Sequence, residues 1–286
     1  MKILILGKNS FIGSSLNNYL KGLFDVTSIG RENIANDQLL LNTICEQDVI
    51  VNCIGSANVS MSFQDCNADF QSNFLVVQRV LELMRKANLN RIKFLNISSA
   101  AVYGNPLGLP IRENSILKPI SPYGFHKQMT ETLLKEYSTC FNIKTISLRI
   151  FSAYGSGQKK LLLWDLHNKF KNTNSIIELY GTGNETRDFI HVEDINQQIL
   201  LAVKYASFNG EAINIANGNE IKIADIVEIY LKHHPKKNKV IFNGEVRLGD
   251  PMFWCADIST MKNWGYKQKV SIEYGIAQYI EWATKQ

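Results

Sequence analysis

The fold is decided by residues 2–13, which read Lys2-Ile3-Leu4-Ile5-Leu6-Gly7-Lys8-Asn9-Ser10-Phe11-Ile12-Gly13. Residues 2–6 form an apolar run rich in Ile and Leu, which is typical of a strand buried on both faces of a parallel sheet. A glycine-containing turn follows, and a helical pattern then continues to about Leu20. Such a turn brings backbone N–H groups and a helix N-terminus to one point, where a pyrophosphate binds.

Strand and helix patterns alternate over the first 150 residues. The predicted strands lie at 2–6, 26–29, 48–54, 92–97 and 144–150, and further predicted helices lie at 69–88 and 123–141. This alternation predicts right-handed βαβ units and a doubly wound parallel sheet of the α/β class.

The pattern changes after Gly157. Shorter predicted elements follow, interrupted by Gly, Pro and Asn: helices at 158–172, 223–232 and 272–284, and a strand at 176–180. We therefore predict a dinucleotide-binding Rossmann domain from residues 1–157 and 182–217. Residues 158–181 and 218–286 are predicted to form a small α+β substrate-binding lid, with a cleft between the two parts.

Composition limits the partners of the chain. It has 286 residues, 45% of them hydrophobic, and a net charge of only +5. Such a chain can bury a core, and no apolar run approaches the roughly 18–20 residues that a membrane span needs. Its five cysteines include no CxxC pair. We expect a cytoplasmic enzyme with no disulfide framework, no metal, no nucleic-acid partner and no membrane partner.

The end of the second strand bears on the cofactor. NAD sites place an Asp or Glu there to bind the ribose 2′-hydroxyl, but the strand ends Ser28-Ile29-Gly30-Arg31. The planar Arg31 guanidinium would suit a 2′-phosphate. The sequence thus favours NADP, with NAD as the alternative, because the neighbouring Glu32 leaves open that Arg31 is a surface residue.

Two further motifs carry chemistry. Tyr123 and Lys127 form a YxxxK pattern at the start of a predicted helix, so they share a helix face and the lysine can lower the pKa of the tyrosine. A tyrosine so placed can exchange a proton with a sugar hydroxyl or carbonyl. Ser99 follows a predicted strand, at the carboxyl end where open α/β sheets bind ligands.

With these motifs the chain resembles the extended short-chain dehydrogenase/reductase family, in its nucleotide-sugar epimerase, dehydratase and reductase branch. The resemblance spans nearly the whole chain. It rests, in order, on GKNSFIG (7–13), NCIG (52–55), SSAAVYG (98–104), YGFHK (123–127), LRIFSAYGSGQ (148–158), RDFIHVEDI (187–195) and RLGDP (247–251).

The resemblance implies roles for individual residues. Ser99, Tyr123 and Lys127 would be the catalytic triad, with Tyr123 as the acid and base. The implied cofactor-binding residues are Gly7, Asn9, Ser10, Phe11, Ile12, Gly13, Arg31, Cys53, Ile54, Gly55, Asn73, Tyr123 and Lys127. The implied substrate-binding residues are Ser99, Ala100, Ser152, Arg187, Arg247 and Asp250. Ser10 replaces a glycine and Ser152 an asparagine of the family pattern. A homodimer through the Tyr123 helix and the helix at 69–88 is also implied.

The resemblance also narrows the reaction. Related 4,6-dehydratases carry an Asp-Glu pair where this chain has Ala100 and Ala101, which disfavours that chemistry. We predict an NADPH-dependent reductase of a 4-keto-6-deoxy sugar nucleotide, dTDP-, CDP- or GDP-linked, in deoxysugar or polysaccharide biosynthesis. An NAD-dependent nucleotide-sugar 4-epimerase is the alternative. A non-catalytic NADP-binding regulator is the third hypothesis, and the presence of both Tyr123 and Lys127 argues against it.

Overall fold

The chain folds around a six-stranded parallel sheet in a computed structural model that describes residues 1–172 and 176–286. The described strands are β1 (Lys2–Leu6), β2 (Asp25–Ile29), β3 (Val49–Asn52), β4 (Lys93–Ser99), β5 (Lys144–Ile150), β6 (Ser152–Tyr154), β7 (Ile177–Leu179), β8 (Thr186–Arg187), β9 (Phe189–His191), β10 (Asn209–Ile215), β11 (Ile221–Lys222) and β12 (Val240–Phe242). The described α-helices are α1 (Phe11–Leu20), α2 (Asp37–Cys45), α3 (Val59–Gln64), α4 (Cys66–Phe70), α5 (Val76–Lys86), α6 (Pro122–Phe141), α7 (Leu161–Asn172), α8 (Val192–Tyr205), α9 (Ile223–His233), α10 (Ser259–Asn263) and α11 (Ile272–Ala283).

The central sheet has the order β10-β5-β4-β3-β1-β2, with all neighbours parallel. Alternate residues of β1 enter different cores: Ile3 and Ile5 pack on one face with α1 and α8, while Leu4 and Leu6 pack on the other with α2, α5 and α6. A strand covered on both faces must be apolar along its length, which explains the run at residues 2–6. The predicted doubly wound α/β fold is confirmed.

The predicted helix at 69–88 is interrupted. It divides into α4, a π-helical turn at Gln71–Leu75 and α5. Within the turn, the Asn73 carbonyl accepts a hydrogen bond of 3.0 Å from Thr130 Oγ1 on α6. A side chain inserted at a backbone carbonyl is a usual companion of such a bulge, and here it fixes Asn73 against α6.

The C-terminal part has a core of its own. Side chains of α7, α9 and α11 pack together there, among them Leu166, Phe170, Tyr230, Ile276 and Tyr279. The pairs β7–β12 and β8–β11 lie beside this core or at its margin. The domain boundaries stay a prediction, and residues 173–175 of the predicted segment 158–181 lie outside the described residues. Within the described ranges we find no helix with the length and apolarity to cross a membrane.

Candidate active site

A cleft of about 600 Å³ opens at the carboxyl ends of β1, β3, β4 and β5. This is the edge at which open parallel sheets bind ligands, because the connections diverge there. The predicted site residues that line it are Asn9, Ser10, Phe11, Ile12, Cys53, Ile54, Gly55, Ser99, Tyr123, Lys127, Ser152, Arg187 and Asp250. Most of the predicted cofactor and substrate residues therefore share one cleft.

The glycine loop joins β1 to α1. Gly7 has a φ of +99°, in the region that favours glycine. Ser10 caps α1 by accepting a hydrogen bond of 3.0 Å from the Gly13 N–H. At Gly13 a methyl group would come within 2.3 Å of the Gly7 carbonyl oxygen. Serine at position 10 thus serves the turn as a helix cap, and residues 7 and 13 need to be glycine for backbone reasons.

Tyr123 and Lys127 lie on the first turns of α6 and point toward the end of β4. Tyr123 forms a side-chain hydrogen bond with Ser99, and burial raises its pKa to about 12, an effect that this bond opposes. The Lys127 ammonium lies 5.8 Å from the Tyr123 ring centroid. The three predicted catalytic side chains are therefore brought together, with Ser99 and Tyr123 positioned to share one oxygen ligand.

Lys127 is a buried cation. Its Nζ donates a hydrogen bond of 2.8 Å to the Ile97 carbonyl oxygen. Burial lowers its pKa to about 8, although the charges of Asp69 and Glu131 oppose this shift. Such a lysine can donate to cofactor hydroxyls and can lose its proton within an accessible pH range.

Asn73 supports the cleft from behind. It is buried, does not line the cavity, and its Oδ1 accepts a hydrogen bond of 3.2 Å from the Ser56 N–H. Its Nδ2 donates to Asp69 Oδ1 at 3.0 Å. A methyl group on Gly55 would come within 2.7 Å of Asn73 Oδ1. Asn73 is placed to hold the 53–56 loop in position, and Gly55 permits this close approach.

The structure does not bring Arg31 to the cleft. Arg31 is exposed and begins a 3₁₀ turn at Arg31–Ala35. The next residue, Glu32, forms an ion pair of 3.0 Å with Lys8 of the glycine loop. A bond from its own backbone N–H and a second from Lys8 hold the pKa of Glu32 below its usual value. Sequence reasoning considered Glu32 only as a neighbour of Arg31, because strand periodicity does not show the 3₁₀ turn that places its carboxylate beside Lys8.

The predicted substrate residues divide between two connected places. Arg187, Asp250 and Ser152 line the main cleft and also a neighbouring cavity of about 220 Å³, to which Arg247 belongs. The Arg187 guanidinium lies 5.6 Å from the Trp254 ring centroid, and that of Arg247 lies 4.6 Å from the ring centroid of Tyr180. The second cavity thus combines aromatic faces with two guanidinium groups.

Asp250 lines the second cavity together with both arginines. Burial raises its pKa, and the charges of Arg187 and Arg247 oppose the shift. Burial in turn lowers the pKa of Arg187, while Asp250 opposes that shift. The two arginines can therefore supply positive charge for a diphosphate. Beside them, the Asp250 carboxylate can accept a hydrogen bond from a ribose hydroxyl.

Ala100 was predicted to bind substrate, but it does not line the cleft. It is fully buried in the hydrophobic core, in a 3₁₀ turn, and Ala101 lines the cavity instead. Neither position offers an ionisable group. Over residues 1–172 and 176–286, no group of three or more His, Cys, Asp or Glu residues is arranged to hold a metal ion.

Known proteins resemble this chain over most of its length. The model of the NAD dependent epimerase/dehydratase family matches residues 3–216. The UDP-glucuronate 4-epimerase of Thermodesulfobacterium geofontis is 27% identical over 253 residues, covering 86% of this chain and 76% of that protein. The dTDP-glucose 4,6-dehydratase of Salmonella typhimurium is 25% identical over 337 residues, covering 99% of this chain and 92% of that protein.

A solved structure is also similar to this chain. The UDP-glucuronic acid 4-epimerase of Bacillus cereus, in complex with UDP-glucuronic acid and NAD, matches with a TM-score of 0.89 at 27% identity. The match covers 100% of this chain and 99% of that chain.

These findings correct the predicted reaction. The expectation of an NADPH-dependent reductase of a 4-keto-6-deoxy sugar nucleotide is wrong, because the similar proteins include UDP-glucuronate 4-epimerases, and the solved structure of the one from Bacillus cereus holds NAD. NADP is likewise unsupported. The physical reason lies at Arg31, which was expected to bind a 2′-phosphate but is exposed and outside the cleft, while the acidic Glu32 pairs with the glycine loop.

Proposed function

The chain belongs to the NAD-dependent epimerase/dehydratase family, and on that premise we propose that it is an NAD-dependent 4-epimerase of a UDP-linked sugar. One observation carries the proposal: Ser99, Tyr123 and Lys127 line the same cleft as Arg187 and Asp250. Proton exchange and nucleotide binding can therefore act on one ligand. A 4,6-dehydratase is disfavoured, because Ala100 and Ala101 supply no acid or base.

The residues divide the work as follows. The nicotinamide, when bound, supplies reversible hydride transfer at C4 of the sugar. Tyr123 takes the C4 hydroxyl proton and later returns it, and Ser99 donates a hydrogen bond to the same oxygen. Lys127 holds a positive charge beside the Tyr123 ring, which favours the tyrosinate.

The cofactor proposal rests on the glycine loop and on Glu32. The turn at residues 7–13 is open toward the cleft, with its helix capped by Ser10. Glu32 supplies a carboxylate beside this loop through Lys8, and a carboxylate suits a ribose 2′-hydroxyl while it repels a 2′-phosphate. These features support NAD.

We further propose that the sugar is a hexuronic acid. Lys160 lines both cavities. None of the ion pairs among the described residues involves it. A cation in a cavity that already has two arginines for the diphosphate is suited to a carboxylate on the sugar. The two UDP-glucuronate 4-epimerases named above are consistent with this assignment.

The test is direct. The purified protein is incubated separately with UDP-glucose, UDP-N-acetylglucosamine and UDP-glucuronic acid, and the 4-epimers are separated by chromatography. We expect interconversion with no stoichiometric consumption of added NADPH, and the highest kcat/KM for UDP-glucuronic acid. Tyr123→Phe is expected to lose turnover while it keeps its affinity for NAD. Failure to epimerise any of the three sugars would contradict the proposal. The proposal includes the predicted homodimer, and sedimentation velocity tests the oligomeric state separately.

A further inference from the structure

A buried carboxylate outside the cleft holds the residue that precedes Ser99. Glu131 follows Tyr123 and Lys127 at intervals of four residues, so the three side chains share one stripe of α6. Glu131 Oε1 accepts a hydrogen bond of 2.6 Å from the Oγ of Ser98, which is the next to last residue of β4. Tyr123 thus binds Ser99 itself, and Glu131 binds the residue directly before it.

An arginine of β5 fixes this carboxylate. Arg149 Nε donates to both carboxylate oxygens of Glu131 at 3.1 Å, and Nη2 donates to Oε2 at 2.7 Å. Both residues are buried. Since a buried ion pair often contributes no more to stability than apolar side chains of similar volume, the groups that this pair orients matter more than its strength.

The same arginine holds the turn that follows Ser99. Arg149 Nη1 donates a hydrogen bond of 2.7 Å to Tyr103 Oη. Tyr103 is fully buried and directly follows the 3₁₀ turn at Ala100–Val102. The ion pair therefore holds the chain on both sides of Ser99, through Ser98 before it and through Tyr103 after it.

We propose that Glu131 and Arg149 are positioning residues for the reaction, which keep the Ser99 hydroxyl in place beside Tyr123. This role rests on the proposed function, in which Ser99 and Tyr123 share the C4 oxygen of the sugar. Without the contact through Ser98, β4 still pairs in the sheet, but the Ser99 hydroxyl can move relative to Tyr123. The rate of reaction depends steeply on such placement.

Ser98→Ala removes this contact and leaves the ion pair intact. We expect kcat to fall by at least about tenfold, with KM and the affinity for NAD close to those of wild type. The pH profile of kcat should move to higher pH, because the bond to Ser99 opposes the rise in the pKa of Tyr123. The charged groups near Tyr123 include Lys127 and Asp69, and the variant alters neither.

Thr145→Val is the matched control. Thr145 is buried near the start of β5, and its Oγ1 donates a hydrogen bond of 2.8 Å to the Leu134 carbonyl oxygen of α6. This hydroxyl also joins a central strand to α6, but at the end of the sheet away from the cleft. Thermal unfolding reports any loss of stability in both variants, whereas kcat and its pH profile should stay unchanged in Thr145→Val.

Tyr103→Phe tests the other side of Ser99. It removes the hydroxyl that Arg149 Nη1 binds, while the same nitrogen keeps its hydrogen bond of 2.8 Å to the Glu113 carbonyl oxygen. We expect a loss of kcat and a shift of the pH profile in the same direction as in Ser98→Ala. If either variant fails to fold, the other one decides the proposal.

Hydrogen–deuterium exchange of the full-length protein supplies a measurement that needs no turnover. We expect the amides of residues 99–104 to exchange at least about tenfold faster in Ser98→Ala than in wild type, and at the wild-type rate in Thr145→Val. Unchanged exchange in Ser98→Ala would overturn the proposal, and so would an equal loss of kcat in Thr145→Val. If the wild type epimerises none of the three UDP-sugars, the proposed function fails, and exchange alone decides whether the ion pair positions Ser99.

Discussion

The carboxylate of Glu32 lies over the backbone of Gly30, so close that a methyl group on Gly30 would come within 2.2 Å of Glu32 Oε2. The acid therefore fills the space that a side chain at position 30 would occupy. Position 30 follows β2 directly, where dinucleotide-binding folds place the ribose-binding acid. Gly30 has no carboxylate, and Glu32, two residues further along the chain, places one at this position instead.

We predict that Glu32→Gln weakens NAD binding by about tenfold, because one charge-assisted hydrogen bond to the ribose is lost. Titration of the purified protein with NAD and NADP, followed by tryptophan fluorescence, measures both affinities. The affinity for NADP is expected to stay low or to rise. Arg31→Ala is the matched control and should change neither affinity. A loss of NADP binding in Arg31→Ala would restore the sequence-based view of that residue.

A compensating variant sharpens this test. Gly30→Asp alone introduces a side chain into the space of the Glu32 carboxylate and is expected to weaken NAD binding. The double variant Gly30→Asp with Glu32→Ala removes the conflict and places an acid directly after β2. We expect it to bind NAD more tightly than either single variant. If the losses of NAD affinity in the two single variants simply added in the double variant, an acid at position 30 could not replace Glu32.

Sequence reasoning succeeded where one local pattern determines the structure. Residues 2–6 had to form an inner strand, because alternate side chains enter two cores. Tyr123 and Lys127 had to share a helix face, because they lie four residues apart. These features need no knowledge of distant parts of the chain.

It failed where long-range geometry decides. The directions of Arg31 and Glu32 depend on a 3₁₀ turn after β2, and strand periodicity does not reveal it. Ala100 was expected to reach substrate, but the turn after β4 directs it into the core. Local motifs identify residue types, whereas their orientation is set by packing.

Lys127→Met is expected to change the pH dependence of stability. Burial lowers the pKa of Lys127 from 10.5 to about 8 in the folded chain. Between pH 8 and 10.5 the folded chain releases this proton while the unfolded chain retains it, so the free energy of unfolding increases with pH over this range. Below pH 8 both states hold the proton, and the full cost of burying the charge lowers the stability of the wild type. The variant should therefore be most stable relative to wild type near neutral pH.

Urea unfolding of both proteins between pH 7 and 9.5 measures this effect. One pKa unit corresponds to about 1.4 kcal/mol, so the stability advantage of Lys127→Met should shrink by roughly 2 kcal/mol across that range. The charges of Asp69 and Glu131 oppose the lowering of the Lys127 pKa, but burial outweighs them. A difference that does not vary with pH would show that Lys127 stays charged in the folded chain.

Arg187→Ala and Arg247→Ala are expected to weaken UDP binding by different amounts. Arg187 is half-buried over Trp254 and donates a hydrogen bond of 2.9 Å to the Thr186 carbonyl oxygen, whereas Arg247 is exposed. A preorganised guanidinium loses less freedom on binding a diphosphate. Calorimetric titration with UDP should show a loss of at least about tenfold for Arg187→Ala and a smaller, more salt-sensitive loss for Arg247→Ala. Equal losses with equal salt dependence would contradict this distinction.

Lys160→Gln is predicted to change substrate preference without a general loss of activity. Lys160 lines both cavities and takes part in none of the ion pairs among residues 1–172 and 176–286, so its charge is available to a carboxylate on the sugar. Steady-state kinetics with UDP-glucuronic acid and UDP-glucose give the ratio of the two kcat/KM values. We expect that ratio to fall by about tenfold, the effect of one lost charge-assisted hydrogen bond.

The neighbouring Lys159→Gln is the matched control for Lys160. The Lys159 ammonium lies 5.9 Å from the ring centroids of both Trp164 and Trp282, so its charge is already engaged by aromatic faces. The same neutralisation one residue earlier is therefore expected to leave the ratio unchanged. Equal reductions in both variants would indicate a general electrostatic effect on the anionic nucleotide, and an unchanged ratio in Lys160→Gln would remove the support for a hexuronic acid substrate.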